Sequence, residues 1–93
     1  MKQFAKAKDH LKTTEKAKEI ILKCKIYEEL QMYSEEEIMA SKLIFLQLKE
    51  KEINKKILSK GYFMRGKSQL FLNKDLLNAA EDFTKSAENC PQI

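Results

Sequence analysis

Residues 60–91 read KGYFMRGKSQLFLNKDLLNAAEDFTKSAENCP, and the fold turns on how this stretch is parsed. Tyr62, Gly66 and Leu70 recur at helical steps of four, which places one helix over residues 62–72. Asn73-Lys74-Asp75 then forms a turn. Asn tolerates the left-handed backbone that ends a helix, and Asp75 is a candidate N-cap for the next. That next helix is predicted over residues 76–89, burying Leu76, Ala79, Ala80, Phe83, Ser86 and Ala87. Pro91 lacks the N–H that a further turn would need and ends it. Gly61 is predicted as the break before the hairpin.

Towards the N-terminus the periodicity remains helical. A long first helix is predicted over residues 3–33. Phe4, Ala7, Leu11, Thr14, Ala17, Ile21, Cys24 and Tyr27 form its stripe, widened by Ile20, Ile26 and Leu30. Ser34 followed by Glu35, Glu36 and Glu37 reads as the next helix start: a hydroxyl cap, carboxylates at the positive end of the helix dipole, and Glu37 at the capping-box position. The second helix carries Met39, Leu43, Leu46, Ile53 and Ile57 on one stripe. It is apolar on more than one side over residues 43–48, so it is expected to pack between two neighbours. The alternating charges of residues 49–56, KEKEINKK, read as its solvated face.

Composition agrees. Two glycines and one proline in 93 residues cannot supply the tight reversals of a sandwich or barrel, so the chain is predicted all-α. One helical domain spans residues 1–93, with two long helices over 1–58 and a helix–turn–helix over 59–93. The formal net charge is +4, with both signs interspersed. The apolar run 43–48 is too short to span a bilayer, and the opening residues lack the apolar core of a secretory signal. Cys24 and Cys90 have no CxxC-type neighbour and are expected as free, inert thiols in a reducing, intracellular compartment, cytoplasmic in the simplest case.

Residues 60–91 also resemble a tetratricopeptide (TPR) repeat, a pair of antiparallel helices that stacks side by side with its neighbours. Tyr62 stands at the large aromatic position of the first helix and Gly66 at the small position of closest approach. Asn73 stands at the turn, Ala79 at the small position facing back, Phe83 at the aromatic one turn later, and Pro91 at the terminator. Ala79 follows Asn73 one residue later than the pattern has it. The resemblance implies a TPR-like α–α array of about four helices whose concave face holds another protein. On the repeat pattern Lys60, Met64, Lys67 and Phe71 line that face and are the partner-contact candidates. The segment KGYFMRG is closest to the last repeat of co-chaperones and immunophilins, which grip the acidic C-terminal tail of heat-shock chaperones. Lys60 matches their Lys, but Met64 occupies their Arg position. Arg65, one residue on, is turned by about 100°.

No catalytic constellation emerges. His10, the single histidine, lies among lysines and makes no metal spacing with Cys24 or Cys90. Neither glycine belongs to a phosphate loop, and no cofactor is called for. Lys2, Lys6, Lys8, Lys12, Lys16 and Lys18 crowd one end of the first helix and support an alternative, a basic RNA- or membrane-surface-binding protein. Against it, Arg occurs once and no aromatics alternate with the lysines. The preferred expectation is a non-enzymatic protein–protein interaction module, an adaptor or a small helical subunit of a larger assembly. Repeat arrays usually finish with a solvating helix, and residues 91–93 supply none. Either the N-terminal helices fold over the last hairpin or another chain covers it.

Overall fold

The computed structural model describes residues 2–90, with side chains from Glu15 onward. Expectations for Phe4, Ala7, Leu11, Thr14, His10, Lys2, Lys6, Lys8, Lys12 and Pro91 lie outside the described side chains. The described residues form four helices and no strand: α1 (Lys2–Glu29), α2 (Tyr33–Leu48), α3 (Lys55–Phe71) and α4 (Leu76–Asn89). The all-α expectation holds.

Each helix packs on its neighbour in the chain: α1 on α2, α2 on α3, α3 on α4. Among the described residues only a light contact joins α1 to α3, and neither α1 nor α2 reaches α4. Among these residues, therefore, the N-terminal helices do not fold over the last hairpin. Ala17, Ile20 and Cys24 of α1 form the main core with Ala40 and Leu43 of α2 and Met64 of α3. Ile44, Leu58 and Tyr62 form a smaller cluster at the α2–α3 seam. As its two-sided apolar stretch requires, α2 lies between two helices, although Phe45 and Leu48 face out.

Three boundaries differ from expectation. The first helix ends at Glu29, because Gln31 adopts the left-handed conformation (φ 59°). Gln31 N–H donates to the Glu28 carbonyl at 3.0 Å and Met32 N–H to that of Tyr27 at 2.7 Å, which closes the helix with a Schellman turn. Ile26 and Leu30, expected to widen the buried stripe, are exposed. Second, Ser34 is not a cap. The cap falls two residues earlier, at Met32, which makes no side-chain cap bond, and α2 begins at Tyr33. Ser34 is an exposed first-turn residue, and Glu37 reaches instead to Lys74.

Third, Gly61 is no break. α2 stops at Leu48, residues 49–54 form a loop, and α3 begins at Lys55, capped by Asn54 Oδ1, which accepts from the N–H groups of Lys56 and Ile57. Ile53 thus lies in the loop and Ile57 on α3. Gly61 sits buried inside α3, where a β-carbon would lie 2.9 Å from Ile44 Cγ1. Its missing side chain lets α2 and α3 approach.

The α3–α4 hairpin follows expectation more closely. Asn73 is left-handed (φ 54°). Its N–H donates to the Leu70 carbonyl and that of Lys74 to Gln69, a second Schellman turn. Asp75 Oδ1 caps α4 by accepting from Leu77 and Asn78 N–H. Gly66 and Ala79 face each other across the seam, with Phe83 alongside. Leu76, Ala80 and Ala87 are exposed rather than buried, because α4 has a single neighbour among the described residues. What α4 buries is Ala79, Asp82 and Ser86.

Candidate functional site

The weak contact between α1 and α3 leaves a groove of about 200 Å³ lined by Ile21, Lys25, Glu28, Lys60, Phe63, Met64 and Lys67. Helical spacing builds both walls. Ile21, Lys25 and Glu28 stand at i, i+4 and i+7 on α1, and Lys60, Met64 and Lys67 repeat that spacing on α3. Ile21, Phe63 and Met64 make an apolar floor, while Lys25 and Lys60 stand exposed at the rim. Lys67 crosses to Glu28 in an ion pair and lies 5.3 Å from the centre of the Phe63 ring. Three lysines against one glutamate leave the groove net positive.

Of the residues singled out on sequence, Lys60, Met64 and Lys67 thus come together. Met64 does so as a core residue whose edge reaches the groove. Phe71 stands apart, stacked on Tyr33 with ring centres 4.6 Å apart and planes 11° from parallel. Sequence reasoning missed Phe63, Lys25 and Glu28. The α1 wall could be found only by knowing which side of α1 faces α3.

Behind the floor lies a buried polar knot. Glu36 on α2 is 0% exposed, as are Cys24 on α1 and Ser68 on α3. Ser68 Oγ stands 2.9 Å from Glu36 Oε1. Glu36 Oε2 has no hydrogen-bond partner among the described residues. Burial raises the Glu36 carboxyl above the usual glutamate range. The Ser68 hydrogen bond and the positive charge of Lys67 oppose this, while Glu28 adds to it, by its negative charge and by a side-chain hydrogen bond that favours the protonated acid. Burial, reinforced by Glu36 and Glu28, pushes the Cys24 thiol up to about 12, so it stays protonated and offers no thiolate nucleophile.

Arg65 faces away from the groove. Its Nε and Nη2 donate to the two oxygens of Asp82 on α4, each at 2.8 Å, and Asp82 is only 3% exposed. That bidentate bond, ahead of the opposing effect of burial, raises the already high pKa of the guanidinium. Lower on the same seam Ser59 and Ser86 hydrogen-bond reciprocally: each Oγ donates to the other's carbonyl, at 2.8 and 2.9 Å.

Among the described residues no three His, Cys, Asp or Glu side chains come together to hold a metal ion, and no helix is long and apolar enough to cross a membrane. No family model, curated protein or solved structure matches the chain.

Proposed function

We propose that this chain is a protein-interaction module of TPR-like design that seats a segment of another protein in the α1–α3 groove, as an adaptor or a small helical subunit of a larger assembly. The observation that carries this reading is the groove itself. An apolar floor with a lysine rim holds Phe63, an aromatic ring 47% exposed inside a concavity. Aromatic anchors at the centre of a contact with charges at its edge are the usual anatomy of a protein interface. The rim favours an occupant carrying carboxylates beside apolar anchors, since complementary charge aids encounter and register. The chaperone-tail variant finds one matching residue, Lys60, while Arg65 is committed to Asp82 on the opposite side of α3. The general reading is therefore preferred over that specific one.

The test is site-specific photo-crosslinking in the native cells, with a photoreactive residue at position 63 and, as control, at position 84 on the exposed side of α4. The expected outcome is a discrete adduct from position 63 that weakens when Lys25 and Lys60 are both changed to Glu. Equal labelling from the two positions, or an adduct indifferent to charge reversal, would rule the groove out.

A further inference from the structure

Ser68 has one hydroxyl hydrogen and two oxygen neighbours that would both accept it. Its Oγ lies 2.8 Å from the Met64 carbonyl, one turn back on α3, and 2.9 Å from Glu36 Oε1 on α2. A hydroxyl donates once. If Glu36 is ionised, one of these contacts sets two lone-pair oxygens against each other. If Glu36 is the neutral acid, both contacts are satisfied: the carboxyl O–H donates to Ser68 Oγ, and Ser68 donates to the Met64 carbonyl, the ordinary back-bond of a helical serine.

The surroundings point the same way. From α1, Cys24 and Glu28 face the site, the first a thiol and the second an anion. From α3 come Ser68 and Lys67, whose ammonium is already paired with Glu28. On α2 itself Glu35 is exposed and Glu37 pairs with Lys74. No part of α4 packs on α2. Ionised, Glu36 would be a buried charge that shares the Lys67 ammonium with Glu28, faces the Glu28 carboxylate and leaves one oxygen, Oε2, without a donor among the described residues. Such a burial is strongly unfavourable.

We propose that Glu36 is a proton-operated clasp: as the neutral acid it ties α2 to α3 through Ser68 with both Ser68 contacts satisfied, and on losing its proton it becomes a buried anion to which Ser68 can donate only by giving up its bond to Met64, which loosens the α2–α3 seam beneath Met64. The raised pKa accords with this. The clasp does not depend on the groove having an occupant, so its test needs none. Because the folded pKa lies above the unfolded one, the contribution to stability is whole below the ordinary glutamate pKa and is lost as pH rises through the folded value. Within that window the folding constant falls by up to about tenfold per pH unit.

Glu36→Gln keeps the shape and an N–H that donates to Ser68 Oγ, with no proton to lose. Urea unfolding of the full chain and of E36Q, from about pH 4 to about pH 9, compares them while the other carboxylates cancel. The ratio of wild-type to E36Q folding constants is expected to fall as pH rises. A ratio independent of pH overturns the clasp. Should E36Q not fold, isotope-edited NMR of the Glu36 carboxyl carbon in the wild-type chain decides instead. The carboxyl is expected to titrate above the exposed glutamates of the same spectrum, and a midpoint coincident with theirs overturns the proposal.

Discussion

A β-carbon on Gly66 would lie 2.9 Å from Cε1 of Phe83, 3.1 Å from its Cδ1 and 3.2 Å from the backbone carbonyl of Ala79. The ring can shift; the carbonyl cannot without moving α4. Gly66→Leu is therefore expected to lower stability by roughly 1–3 kcal/mol, the usual cost of overpacking, measured by urea unfolding. Asp82 presents a different residue-scale cost. Removing it leaves Arg65 without its bidentate acceptor while three quarters of that side chain stays out of water. Asp82→Ala is expected to cost about 3 kcal/mol, the low end for a broken buried pair because Arg65 reaches solvent in part. The two free cysteines differ as well. Alkylation of the folded protein at neutral pH is expected to label Cys90 first and to reach Cys24 only as the chain unfolds. Since the folded Cys24 pKa is raised, its contribution to stability persists at neutral pH and disappears as pH climbs from the ordinary thiol range through about 12. The role of Gly66 was legible because an aromatic and a small residue stood at matching positions on the facing helix. That of Gly61 was not, because a glycine amid helix formers reads equally as a stop or as a close approach.

Among the elements, α4 was the most legible. Asn73 and Asp75 bracket its turn with residues whose backbone and side-chain chemistry favour those two positions, and both act as expected. The α2–α3 junction was opaque for a physical reason. Residues 49–54 have the lysines and glutamates of a solvated helix face, and the local signal that separates the two helices is Asn54, whose Oδ1 caps α3 while its N–H donates to Gln47 Oε1. The end of α1 was equally hidden, since Gln is an unusual residue for a left-handed position. That misfit is itself testable. Gln31→Gly removes the β-carbon strain at φ 59° and is expected to stabilise the chain by up to about 1 kcal/mol, read as a raised Tm.

For the whole molecule, packing runs in series from α1 to α4. Stability in such an array is a sum over adjacent seams, so the end helix with one seam should open before the helices with two. Native-state hydrogen exchange is expected to show α4 amides opening at lower free energy than those of α2, and Asp82→Ala to widen that gap. Uniform opening of both helices would contradict serial packing. At this scale the α3 wall of the groove was legible only through the likeness to a repeat pattern, which grouped Lys60, Met64 and Lys67 with Phe71, a residue that stacks on Tyr33 outside the groove. The α1 wall was not, because pairing between distant helices leaves no trace in local periodicity. Leu76, 57% exposed, belongs to the same limit: it was expected to be buried, and a helix with one neighbour among the described residues does not provide that.

The two glycines of α3 point in different directions, Gly61 into α2 and Gly66 into α4. Like notches cut on opposite sides of an axle, they lock the helix against rolling about its own axis. A turn in either sense would drive the bulk of Lys60, Tyr62, Arg65 or Lys67 into a gap that only hydrogen atoms fit. The middle helix can therefore tilt or slide with its neighbours but cannot spin, and the facing of Lys60 and Lys67 towards α1 is set by atoms that are not there.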